Sequence, residues 1–89
     1  MIRMSEGKIS RDLEKEISEM DPMQEISVVI KLGELNDEVL AELSEIGRIE
    51  MVIRLTRHVQ LRIRVKDIAT LLAKEYIVFI DKLRVMRVT

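Results

Sequence analysis

Arg48-Ile49-Glu50-Met51-Val52-Ile53-Arg54-Leu55-Thr56-Arg57-His58-Val59-Gln60-Leu61-Arg62-Ile63-Arg64-Val65-Lys66 holds two successive runs with an apolar residue at every second position. Ile49, Met51, Ile53 and Leu55 make the first, and Val59, Leu61, Ile63 and Val65 the second. Side chains alternate across a strand, so the pattern predicts a hairpin with one oily face, turning near Thr56-Arg57-His58. Such alternation belongs to an antiparallel sheet covered on one side only. Glu50, Arg54, Gln60, Arg62 and Arg64 are then expected on the open side.

Upstream, Glu25 to Leu32 alternates Ile26, Val28, Ile30 and Leu32 with Ser27, Val29 and Lys31, which predicts a first strand with Val29 on its outer face. Gly33 ends it. Asn36 is a good N-cap for a helix whose Val39, Leu40, Leu43 and Ile46 share a face, and Gly47 is expected to close that helix with a left-handed cap. Beyond the hairpin, Asp67 opens a helix with Ile68, Leu71 and Leu72 inward, and Tyr76 to Ile80 reads as a last strand. Ile9, Leu13, Ile17 and Met20 fall at helical spacing ahead of all this, with Ser10 as N-cap and Asp21-Pro22 as the stop. Residues 1–24 are thus a lead-in with a short helix, and residues 25–89 a βαββαβ domain with an extended C-terminal strand. This order is the split βαβ, ferredoxin-like α+β sandwich: a four-stranded antiparallel sheet with two helices on one face.

Eighty-nine residues build one small core, and a chain of this size buries about 60–65% of its unfolded surface. Without cysteine there is no disulfide framework or zinc-thiolate site, and one histidine makes no metal cluster, so no cofactor is expected. A net charge of −1, one Tyr and one Phe offer neither general attraction to nucleic acid nor a platform for stacking bases. No apolar stretch reaches the roughly 18 residues of a membrane span. The near-zero total hides a split: residues 1–50 hold 6 basic and 13 acidic side chains, and residues 51–89 hold 9 and 3. Abundant Glu, Lys and Arg with few amides and no Cys is the habit of thermophilic proteins, although six Met are not. Met1 to Glu6 has no secretion-signal core, so the chain as written is expected to stay in the cytoplasm; excised from a secreted precursor, it would be extracellular.

Catalysis finds little footing. His58 sits in a turn, where a polar residue is expected for solvation, and none of the five serines has a Gly-x-Ser-x-Gly setting. Carboxylate pairs such as Glu42 with Glu45 and Glu14 with Glu16 lie on helix surfaces, where they serve solubility. Arg54, Arg62 and Arg64 share the open face with Val29, Val52 and either Val78 or Ile80, and an apolar centre rimmed by Arg is the composition of a protein interface. The tail Lys82-Leu83-Arg84-Val85-Met86-Arg87-Val88-Thr89 has no Gly or Pro and is rich in β-branched residues, so it either runs extended beyond the domain, as peptides do in protease clefts, or continues the last strand or frays as a terminus.

Ile26-Ser27-Val28-Val29-Ile30-Lys31-Leu32, Leu43-Ser44-Glu45-Ile46-Gly47 and Tyr76-Ile77-Val78-Phe79-Ile80-Asp81 resemble stretches of the propeptides of subtilisin-like serine proteases and of the related stand-alone propeptide-type inhibitors. The resemblance runs from Lys8 through Thr89. It implies a non-enzymatic domain that docks its open sheet on two surface helices of a subtilisin-like protease and lays its C-terminal strand in the substrate cleft, acting as inhibitor and folding chaperone. Val85, Met86, Arg87, Val88 and Thr89 would form the partner-binding tail, with Thr89 before the cut and Met86 in an apolar subsite. Asp81 would cap a helix of the protease, which helix electrostatics favours; Leu83 stands where the family has a second capping acid. Free, such a domain is expected to be a monomer or weak homodimer. Two rivals share the element order: a small-molecule regulatory module resembling ACT domains, with Gly33, Asn36 and Asp37 facing a ligand, and a self-associating structural domain.

Overall fold

A computed structural model describes residues 7–83. Helix α1 (Arg11–Ser18) is followed by β1 (Glu25–Leu32), α2 (Asp37–Ile46), β2 (Arg48–Ile53), β3 (His58–Arg64), α3 (Ile68–Leu72) and β4 (Ile77–Lys82). The four strands form one antiparallel sheet in the order β2-β3-β1-β4, the ferredoxin-like arrangement expected from the element order. A short 3-10 turn, Val65–Asp67, precedes α3, so Asp67 ends that turn and makes no side-chain cap.

The alternation of β1 and β3 decides where the core sits. Val28, Ile30 and Leu32 of β1 and Val59, Leu61 and Ile63 of β3 are almost wholly buried, and they meet Val39 and Leu43 of α2, Ile68 and Leu71 of α3, and Leu13 of α1 in one cluster. Among the described residues no polar or charged side chain is buried. Two helix starts are capped as their sequences predict: Ser10 Oγ accepts from Leu13 N at 3.2 Å, and Asn36 Oδ1 from Val39 N at 2.9 Å.

The lead-in belongs to the same core. Ile9 is buried and pairs in parallel with Ile80, whose N–H donates to Lys8 O at 2.7 Å and whose carbonyl accepts from Ser10 N at 3.0 Å. Lys8 Nζ donates to Leu72 O and Lys74 O, both at 3.3 Å, supplying a cation to carbonyls at the end of α3. Lys82 Nζ reaches Glu16 of α1 at 2.9 Å. The outer edge of β4 is therefore covered at its middle, and β2 is left as the open edge of the sheet.

Gly47 departs from expectation. Its φ of −156° and ψ of −167° are extended, with no left-handed cap. What requires glycine is proximity: a Cβ there would stand 2.6 Å from Arg62 O and 3.2 Å from Leu61 Cγ. The chain leaves α2 pressed against β3, and any side chain would force them apart. Gly47→Ala is expected to lower stability by about 1–3 kcal/mol in a denaturant titration, whereas a left-handed cap would make the loss one of backbone strain with no displacement of β3.

Tyr76, just before β4, donates its hydroxyl to Glu42 of α2 at 3.2 Å, and Lys74 Nζ sits 3.2 Å from the same carboxylate oxygen. Burial, the hydrogen bond to Glu42 and the negative charge of Glu42 push the phenol up from 10.0 to about 12. The folded state holds this proton more tightly than the unfolded chain does. The resulting stability is complete below pH 10 and is lost as pH rises through about 12. With one Tyr and no Trp, ultraviolet absorbance reads this group alone. Its folded midpoint is expected near 12, and Glu42→Gln should lower it toward the ordinary tyrosine value.

Candidate functional site

Opposite the helices, the sheet carries its outward residues in rows set by strand register. Arg64 stands opposite Glu25. The next row is Arg48, Arg62 and Ser27, continued by Leu83, whose N–H donates to Ser27 O at 3.2 Å. Then come Met51, Gln60, Val29 and Asp81, and last Ile53, His58, Lys31 and Phe79. No described helix lies over these residues. Met51 is 49% exposed and Ile53 39%. A shallow depression on this side is lined by Val29, Lys31, His58, Phe79, Asp81 and Leu83.

Val29, Gln60, Arg62 and Arg64 thus lie on the open face as the alternation predicts. Glu50 is there too, its Oε1 accepting from Ser27 Oγ at 2.9 Å although β3 runs between their strands. Val52 is not. The register of β2 shifts between Ile49 and Met51, so that Glu50 and Met51 together oppose Gln60. This β-bulge reverses the alternation: Ile49 and Val52 turn inward against the core, while Met51 and Ile53 turn out. Met51-Val52-Ile53 is apolar throughout, so a slip of one residue costs little burial. Unbroken alternation in the sequence could not reveal it.

Arg54 is corrected as well. It begins the turn Arg54–Arg57 instead of continuing β2, and Leu55 beside it is 95% exposed rather than on the oily face. The turn is closed by Arg57 N donating to Arg54 O at 3.3 Å and tied to β1 by Leu32 N donating to Arg57 O at 2.9 Å. Arg57 takes a φ of 57°, the positive-φ position that a tight turn requires. In β4 a second irregularity, opposite Lys31 and Leu32, sends Phe79 outward and buries Ile80 completely, leaving Val78 45% exposed. The outward aromatic at Phe79 escaped the sequence reading because Val78 absorbs this irregularity.

The remaining candidates find structural employment. His58 opens β3 and shares a 2.7 Å contact between Nδ1 and Thr56 Oγ1. Ser18 and Ser44 donate to carbonyls one turn back, at Lys15 and Ala41, and Glu42 is held by Tyr76 and Lys74. Asn36 is committed to capping α2. Among the described residues, no group of three His, Asp or Glu side chains is placed to hold a metal ion, and no helix is long and apolar enough to cross a membrane. Asp81 stands half-buried at the open face with one carboxylate oxygen accepting from Lys82 N at 2.8 Å. The tail, residues 85–89, lies outside the described residues.

In sequence the chain matches no protein-family model and no curated protein.

The bulge yields a direct test of which side chains are inside. Val52→Thr should cost about 1–2 kcal/mol, because it carries a hydroxyl toward the core, and Ile53→Thr should stay within about 0.5 kcal/mol. Uninterrupted alternation through β2 demands the reverse order in a thermal or chemical melt.

Proposed function

We propose that this chain is a non-enzymatic, propeptide-like domain that binds a subtilisin-like serine protease through its uncovered sheet face and its C-terminal tail, as an inhibitor and folding chaperone. The observation that carries this reading is the open face itself. Met51 and Ile53 on one edge strand, Val29 at the centre and Val78 and Phe79 on the other edge strand are apolar groups on strands that no described helix covers on one side, with arginines in the neighbouring rows, and apolar groups with a charged rim are the composition of a docking site. The resemblance of the β1, α2 and β4 sequences to subtilase propeptides names the partner.

Geometry supports the division of labour. The chain is still paired to β1 at Leu83, so the tail leaves from the sheet edge that Asp81 and Phe79 flank. A partner seated on the face would hold the tail as a tethered strand, turning a weak peptide ligand into an intramolecular one. Asp81, half-buried with a second carboxylate oxygen to offer, would suit the N-terminus of a partner helix. Binding to the folded domain alone would also add RT ln(1 + [L]/Kd) to its stability, which suits a core this small.

The full chain is expected to slow peptide hydrolysis by an archaeal or bacterial subtilisin. A version ending at Lys82 should retain much of the binding and lose the blockage, with its fold checked by circular dichroism. Met86→Ala should weaken inhibition by about 1–3 kcal/mol if its subsite is a hot spot. No slowing by the full chain at high micromolar concentration would refute the proposal.

A further inference from the structure

Arg48 and Arg62 are direct cross-strand partners on the open face. Side chains so placed have Cβ atoms about 5 Å apart, and like charges there oppose each other and weaken the sheet. Among the described residues no hydrogen bond or ion pair reaches either guanidinium. The carboxylate of Glu50 crosses β3 to the hydroxyl of Ser27, the register partner of Arg62, and so lies near Arg62 without pairing with it. Arg64, two residues along β3, adds a third cation on the same side and has Glu25 opposite it. Two adjacent guanidinium groups, with no ion-pair partner among the described residues, therefore stand at one corner of the face, one row from Met51 and at the opposite end of the strands from Ile53 and Phe79.

An arrangement that costs the monomer stability is relieved when a partner supplies the opposite charge. We infer that the partner presents carboxylates, from Asp or Glu side chains of a folded protein, to Arg48 and Arg62 while its apolar residues meet Met51, Ile53 and Phe79. Two guanidinium forks side by side suit bidentate carboxylate recognition. A protein is the occupant because the cationic corner adjoins exposed apolar side chains on a chain of net charge −1, whereas a nucleic-acid face calls for a wider basic surface and stacking groups. This inference rests on the protease-binding reading and specifies the chemistry of that surface.

The signature is a separation of stability from affinity. Arg62→Glu replaces a repulsive pair by an attractive one, so the free domain should melt at the same temperature or higher. Binding of the full chain to an archaeal subtilisin whose catalytic serine is replaced by alanine should weaken at least about tenfold, chiefly through slower association. Wild-type affinity should also fall as sodium chloride is raised from about 0.05 M to about 0.5 M, a dependence the variant largely loses. Arg62→Gln serves as a second variant, with an intermediate loss. Wild-type binding that is insensitive to salt and to both substitutions overturns the inference and leaves the protease reading standing. No wild-type binding at any salt removes both. Arginine-dependent binding of a DNA duplex, or arginine-dependent self-association, in place of protease binding also overturns it.

Discussion

Everything in this molecule depends on β1, a central strand paired on both sides, having helices on one face only. It pairs with β3 from Glu25 to Lys31 and with β4 from Val28 to Leu32, and its inward residues Val28, Ile30 and Leu32 are 0–1% exposed. A strand so enclosed has its backbone satisfied laterally, and its apolar residues are driven to one side by the hydrophobic effect. The helices follow that side. Ser27, Val29 and Lys31 are consequently left on a surface that no described element covers.

Charge is divided along the same boundary. The helices α1 and α2 carry Asp12, Glu14, Glu16, Asp37, Glu38, Glu42 and Glu45 against Arg11 and Lys15, while the open face carries Lys31, Arg48, Arg62 and Arg64 against Glu25, Glu50 and Asp81. The imbalance between the two halves of the sequence thus becomes an imbalance between two sides of a sandwich. Lys74 pairs with Glu42 and Lys82 with Glu16, and both ion pairs are partly exposed. Exposed pairs of this kind contribute little to stability. The charges of this domain matter more for what approaches it than for holding it together.

Much of this was legible in the residues because their signals were redundant. Val28, Ile30 and Leu32, like Val59, Leu61 and Ile63, alternate without interruption, and Ser10 and Asn36 mark helix starts that the structure keeps. Where the signal was not redundant, the structure decided. Met51-Val52-Ile53 is equally apolar in either register, so the bulge at Glu50 left no trace in the pattern. The irregularity opposite Leu32 likewise exchanged the roles of neighbours in Val78-Phe79-Ile80. Gly47 was recognised as necessary but for the wrong cause, since the approach of Arg62 O depends on a residue fifteen positions away. The Arg48 and Arg62 pairing is likewise a matter of register and has no counterpart in local sequence.

The proposed function rests on one physical premise, that the uncovered side of the sheet is the surface a partner would meet. Methyl-resolved NMR of the full chain, with and without a catalytically inactivated subtilisin, tests it most directly. Resonances of Met51, Ile53 and Val29 should shift or broaden on addition of the protease, while those of Leu43 and Leu71, sealed in the core, should change little. Perturbation confined to α1 and α2, or none on β1 and β2, would contradict it.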